Sequence, residues 1–176
     1  MIDNPIGTLI TSEENIVEQA VISGIAHNKD EAKLSLIGVP DEPGVAFKIL
    51  KPISAANIEV DMIVQSVSAR EGLTNFAFTV HRNDFDKTNA ILEAVCSELG
   101  ALSVQNDDKV VKVSLVGIGM RSHAGIAAQM FEVLHNEGIN IQMISTSEIK
   151  ISVVIDEKYL ELAVRSLHSA FELDKE

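Results

Sequence analysis

The sequence predicts an α+β protein built from two βαββαβ units, the first inserted in the second. Three observations predict it. A strand–turn–helix stretch, Leu36-Ile37-Gly38-Val39-Pro40-Asp41-Glu42-Pro43-Gly44-Val45-Ala46, recurs as Leu115-Val116-Gly117-Ile118-Gly119-Met120-Arg121-Ser122-His123-Ala124-Gly125-Ile126-Ala127. Gly44 returns at Gly125 and Met62 at Met143, the same 81-residue shift, and Asn57-Ile58-Glu59-Val60-Asp61-Met62-Ile63 matches Gly138-Ile139-Asn140-Ile141-Gln142-Met143-Ile144. A shift held across strand, helix and strand marks a duplicated module. Finally, the second unit runs out of chain one strand short, and an apolar segment at 21–28 is left over to close it.

Taken in order, residues 1–11 show no clear period, and 13–15 begin an acidic turn. Residues 16–28 are ambiguous, but Val21-Ile22-Ser23-Gly24-Ile25-Ala26 reads best as a strand, and 28–31 reads as a polar break. The first unit follows as strand 32–39, helix 44–56 with apolar Ala46, Phe47, Ile49, Leu50 and Ile53, and strand 59–68. Pro52 inside that helix is a potential kink. A turn at Glu71-Gly72 leads to strand 73–81, where Phe76, Phe78 and Val80 alternate. A helix over 84–99 stops at Gly100, and a strand near 101–105 closes the unit. The second unit gives strand 111–118, helix 125–136, strands 141–147 and 150–156, and helix 157–171.

Hydrophobic residues make up 46% of the 176, enough for two small cores. A net charge of −12 and an aromatic content of 4% without Trp argue against nucleic acid or an anionic membrane as partner. No apolar run approaches a membrane span, and the N-terminus lacks a signal-peptide pattern. The single Cys96 rules out an internal disulfide and fits a reducing cytoplasm; its stripe of Ile91, Leu92, Val95 and Leu99 predicts a structural thiol, not a nucleophile. The histidines His27, His81, His123, His135 and His168 form no close pair at metal-ligand spacing, so no metal and no cofactor are expected.

The chemistry centres on 36–46. A strand running straight into a helix leaves backbone N–H groups without intrahelical partners, and the helix dipole adds to their attraction for an anion. Asp41 at the mouth of that turn offers a negative charge to an ammonium. Together they describe a receptor for a free α-amino acid. The alternative is structural: Asp41 caps the helix and Pro43 fills its first turn.

Both units resemble ACT domains, the ferredoxin-like modules that bind amino acids at the strand-to-helix turn. The strings Ser23-Gly24-Ile25-Ala26, Val39-Pro40-Asp41-Glu42-Pro43-Gly44, Asp61-Met62-Ile63-Val64-Gln65, Ser114-Leu115-Val116-Gly117 and Ser145-Thr146-Ser147-Glu148-Ile149 resemble the regulatory region of the aspartate kinase family. Asn4-Pro5-Ile6-Gly7-Thr8-Leu9-Ile10 is similar to the segment leaving that family's catalytic lobe. The resemblance implies a linker at 1–16, one ACT domain at 32–106, and a second from 17–31 with 107–176. No Gly-x-x-x-x-Gly-Lys loop is present, so no catalytic activity is expected on this chain alone. It is either a small regulatory subunit of the kind the family makes from an internal start, or a fragment.

In that family, effector sites form where modules of two chains dock. Carried over, Asp41 would hold the ligand ammonium and the amides of Gly44, Val45 and Ala46 its carboxylate. Gln65 would touch the side chain, with Asn140 and Ile141 closing the pocket; alternatively Gln65 is an ordinary exposed strand residue. A possible second site would use Ser122, His123, Gly125, Ile126 and Ala127, with Ser147 and with Asp61 or Glu148 meeting the ammonium across an interface. Ser122 and His123 could equally cap the helix, and Ser145-Thr146-Ser147 could be a polar strand edge. The resemblance implies a homodimer that binds threonine, lysine or both. It also implies feedback inhibition of a partner catalytic lobe, an ATP:aspartate phosphotransferase, in lysine, threonine and methionine biosynthesis. A stand-alone sensor of another amino acid is the alternative. A self-contained enzyme could be drawn from Asp41, Asp61, Glu148 and His123, but nothing marks a nucleophile.

Overall fold

A computed structural model describes residues 21–120 and 124–173. The expected linker at 1–16, residues 17–20, and Ser122 and His123 lie outside the described residues. The elements are β1 (Val21–Pro40), α1 (Val45–Ala55), β2 (Val60–Val67), β3 (Leu73–His81), α2 (Phe85–Leu99), β4 (Ser103–Ile118), α3 (Ala124–Asn136), β5 (Ile141–Thr146), β6 (Lys150–Asp156) and α4 (Leu160–Ala170). The strands form one antiparallel sheet in the order β2-β3-β1-β4-β6-β5.

Two long strands serve both modules. In its second half β1 pairs with β3 through Glu31–Pro40 and with the start of β4, Lys33 opposite Asp107 and Ile37 opposite Ser103. In its first half it pairs Val21 with Ile118 and Asn28 with Lys112. Module 1 is therefore the second half of β1, then α1, β2, β3, α2 and the first half of β4. Module 2 is the second half of β4, then α3, β5, β6, α4, closed by the first half of β1. The first module is inserted in the second.

Two boundaries expected from the sequence dissolve. The polar break at 28–31 interrupts nothing, and strands expected apart at 101–105 and 111–118 are one strand. At each crossing between modules a polar side chain bonds the backbone two residues on. Asn28 Oδ1 accepts from Asp30 N at 3.1 Å, and Asp107 Oδ1 accepts from Lys109 N at 2.9 Å. The β1–β4 register shifts there, between Asn28 and Lys33. These residues look like turn formers because they build bulges inside a strand. The expected helices over 84–99 and 157–171 likewise each begin with a short 3-10 turn, capped by His81 and Asp156. α1 continues through Pro52.

Alternation along the strands fills two cores. Leu34, Leu36, Phe76, Phe78 and Val80 pack on Ile49 and Ile53 of α1 and Leu92 and Val95 of α2, with Cys96 half-buried beside them. Val111, Val113, Leu115, Ile151, Val153 and Ile155 pack on Met130 and Leu134 of α3 and Ala163 and Leu167 of α4. On the helix-free face Met62, Val110, Met143 and Val154 form a third cluster that joins the modules. Met62 and Met143 are repeat partners, so the duplicated position is what the two modules bury against each other. Full burial of such a side chain stabilises by about 1.5–3 kcal/mol.

A polar seam flanks this cluster. Glu31, 2% exposed, receives Lys112 Nζ at 2.9 Å and Asn28 Nδ2 at 2.9 Å, and Lys112 also binds Asp61 of β2. Arg82 donates to the Val110 carbonyl at 3.0 Å and pairs with Glu157 at 2.8 Å. Lys33 reaches Gln142 at 2.8 Å, and Gln142 donates to Asp107 at 3.0 Å. Burial pulls the Lys112 ammonium down, but its bonds to Asp61 and Glu31 outweigh that and raise its pKa. A raised lysine contributes stability that is complete at neutral pH and is lost as pH climbs through the folded-state value. Lys112→Met leaves Glu31 buried without its cation and should cost about 3–5 kcal/mol. Thermal melts check this, and melts repeated as the pH climbs beyond about 10.5, the ordinary lysine value, should show wild type converging toward the variant.

The entrance to α1 depends on a glycine. Gly38 sits at φ +64, where β1 slips register between Leu36 and Val39, and a Cβ there would lie 2.5 Å from Leu102 Cδ1. Its repeat partner Gly119 has φ 70. Gly38→Ala combines left-handed strain with displacement of Leu102, so a loss of about 1–3 kcal/mol is expected. Gly24→Ala, with nothing within 4 Å, is the matched control in the same melt.

Candidate functional site

The β1–α1 turn is held at both ends. Asp41 N donates to the Gly72 carbonyl at the β2–β3 hairpin at 2.9 Å, and Val45 N donates to Glu42 O at 3.2 Å. Lys48 N to Gly44 O, 3.0 Å, is the bond that starts the helix. The N-cap residue is Gly44 itself, at φ 91, and no side chain closes the helix end. Asp41 therefore does not cap α1. Its side chain is exposed and makes no hydrogen bond or ion pair among the described residues. Of the three amides expected to face a carboxylate, that of Val45 is already engaged by Glu42, while those of Gly44 and Ala46 have no acceptor among the described residues. Exposed donors at a positive helix end beside an unpaired carboxylate suit a zwitterion.

Gln65 stands opposite Phe76, whose ring lies in the module 1 core, so it shares the helix-bearing side of the sheet. It is exposed, between Ile63 at 50% and Val67 at 83%. Phe76 also faces Leu36, which puts Gln65 two strands, roughly 10 Å, from the segment leading into the turn. Asn140 and Ile141 are elsewhere. Their neighbour Gln142 binds Lys33, seven residues and roughly 23 Å along β1 from Pro40. One chain does not bring them to the Asp41 turn.

The second set is divided. Gly125, Ile126 and Ala127 open α3, and the β5–β6 turn docks on the approach to it, with Met120 N donating to Glu148 O at 3.1 Å and Gly117 N to Ile149 O at 3.0 Å. This repeats the Asp41–Gly72 contact of module 1. Asp61 is on the other face. It binds Lys112, which alternates with the core residues Val111 and Val113 and so points away from α3. Asp61 thus cannot meet an ammonium at the α3 turn of its own chain. Ser147 accepts from Lys150 N at 3.1 Å and borders a cavity with Asp61 instead. Sequence reasoning passed over Lys112, Ser114, Lys150 and Ser152 around that cavity. The signal was present in Val111-Lys112-Val113-Ser114-Leu115, where every second residue is polar. The most spacious of the hollows described, about 510 Å³ between β1 and α4, is lined by His27, Lys29, Val164, Arg165 and His168 and touches none of the expected residues.

Among the described residues no cluster of His, Cys, Asp and Glu could hold a metal, and no helix is long and apolar enough to cross a membrane.

Two four-stranded units ordered 2-3-1-4, each with two helices on one face, the first with its strand-to-helix turn open at its edge, define a pair of ACT domains. ACT-domain family models match residues 34–100 and 113–171. The aspartate kinase of Pseudomonas fluorescens is 68% identical over 169 residues, covering 96% of this chain and 41% of that protein. Aspartokinase of Corynebacterium glutamicum is 45% identical over 176 residues, covering 98% of this chain and 42% of its own. Among solved structures, aspartokinase alpha and beta subunits align at 56% identity and a TM-score of 0.80, over 86% of this chain and 99% of that one. The ligand-free regulatory subunit of aspartate kinase from Thermus thermophilus aligns at 39% identity and TM-score 0.79, over 85% and 98%. The chain belongs to the aspartate kinase family, as its tandem ACT-domain regulatory region, and spans about 41% of the length of Pseudomonas and Stutzerimonas relatives.

Proposed function

We propose that this chain is the amino-acid-binding allosteric region through which an aspartate kinase is feedback-inhibited by threonine, lysine or both. The observation that carries the reading is the β1–α1 turn: an uncapped helix N-terminus beside the unpaired, exposed carboxylate of Asp41. Asp41 takes the ligand ammonium, the Gly44 and Ala46 amides its carboxylate, and Gln65 its side chain. Asn140 and Ile141, remote within one chain, complete the pocket from a second copy, so the working state is a homodimer in the cytoplasm. The two ACT domains span 32–106 and 17–31 with 107–176, and 1–16 leads to a catalytic lobe. A ligand shared between chains stabilises one docking of the modules, and the catalytic lobe inherits that bias. The α3 turn, with Gly125, Ile126, Ala127, Ser122 and His123, is a second site of the same kind.

A thermal-shift panel of free amino acids tests this. A ligand that binds only the folded state at a hundred times its Kd adds about 2.7 kcal/mol, so threonine, lysine or both should raise the melting temperature by several degrees. A panel in which neither does, while another amino acid does, replaces this reading with a sensor of that amino acid.

A further inference from the structure

A cavity of about 180 Å³ opens where the modules meet on the helix-free face. Asp61 enters it from module 1; Lys112, Lys150 and four serines line it from module 2. Its floor is the buried pair Ser114 and Ser152, hydroxyl to hydroxyl at 2.8 Å. One hydroxyl of such a pair donates to the other, which keeps its own proton for something further. Asp61 gives only Oδ2 to Lys112, so Oδ1 remains for a second cation. Lys150 is exposed, and its ammonium has no ion-pair partner among the described residues. Opposite charges on two walls and hydroxyls on the floor are the requirements of a small dipolar guest, and the volume admits a small molecule, not merely one water.

We propose that this cavity binds the free zwitterion of an α-amino acid with a short polar side chain. The ammonium sits on Asp61, the carboxylate on Lys150 with Lys112 behind it, and the side chain on the serine hydroxyls. The ligand class rests on the regulatory reading above, but the site is separate from the Asp41 turn and from the α3 turn. Because one wall is β2 of module 1 and the others are β4, β5 and β6 of module 2, an occupant ties the modules together beside the Met62–Met143 contact. Binding here therefore changes how firmly the two modules hold one arrangement.

Titration calorimetry on the whole chain tests the assignment, with threonine and serine as zwitterions and propionate and inorganic phosphate as anions lacking the ammonium. Asp41→Asn weakens the first site by tenfold or more, and the event in the cavity remains. In that background Lys150→Ala and Ser145→Ala, both at exposed positions that spare the fold, should each weaken the remaining event, Lys150→Ala by at least tenfold. Propionate and phosphate should bind at least tenfold more weakly than threonine. Asp41→Asn protein that binds neither amino acid, or that binds them equally well with Lys150→Ala, overturns the cavity site while the first site stands. Phosphate binding as tightly as threonine, and depending on Lys150, overturns the zwitterion in favour of a simple anion. Wild type that binds no amino acid overturns the regulatory reading together with this one.

Discussion

A chain that begins at Lys33 is expected to lose module 2 as a folded unit. The deletion removes the whole first half of β1, which pairs with β4 from Val21 opposite Ile118 to Asn28 opposite Lys112, with one register shift between Ile22 and Gly24. The second half of β4 then becomes an edge strand with unpaired N–H and C=O groups. Ile22 and Ile25 leave the module 2 core, and each partly buried isoleucine contributes on the order of 1 kcal/mol. Glu31 goes too, so Lys112 keeps only Asp61. Lost ladder bonds at roughly 1 kcal/mol each bring the total to several kcal/mol, comparable to the whole stability of a small domain. Module 1 keeps its four strands and both helices. Circular dichroism and gel filtration of the shortened chain should therefore show about half the cooperative transition lost and a tendency to associate through the bared edge. A melting temperature and an elution volume matching the full chain would mean that the first half of β1 contributes nothing to module 2.

Much of this architecture was legible because it is written twice. The 81-residue shift places Gly38 with Gly119, Asn57 with Gly138 and Met62 with Met143, and in the structure each pair plays one role: a left-handed entry to the turn, a left-handed exit from the helix, and an inter-module contact. The missing final strand of module 2 was deducible by elimination. Strand continuity was not, because Asn28, Asp30, Asp107 and Asp108 carry the composition of loops, and only the pairing shows that they form bulges in strands shared by two modules. The same limit hid the cavity. Lys112, Ser114 and Ser152 read as the solvent side of amphipathic strands, and a one-dimensional pattern cannot say that the solvent side of one module faces that of another. Asp61 shows the same limit: its spacing says which face it occupies, not that β4 of the other module lies across from it.

Replacing Asp41 by Asn should separate a ligand contact from a helix cap. The structure already sets one half of the expectation. Gly44 is the N-cap, no side chain bonds the first turn of α1, and Asp41 has no partner among the described residues, so the substitution removes no interaction from the free protein. The turn itself is held by the Asp41 amide on Gly72, which asparagine retains. The unliganded melting temperature should stay within a degree or so, as exposed substitutions usually do. Binding is another matter. The carboxylate is the charge partner proposed for the ligand ammonium, and a hydrogen bond to a charged group in a closed pocket contributes roughly 1.5–3 kcal/mol, so affinity for the effector should fall on the order of tenfold to a hundredfold. Gln65→Ala should weaken binding less, and chiefly for ligands with a polar side chain. Calorimetric titration of threonine and of lysine into wild type and both variants, with a melt of each protein alone, makes the comparison. Unchanged affinity for the Asn variant would remove Asp41 from the site and leave the α1 amides without the carboxylate that makes them specific for an amino acid.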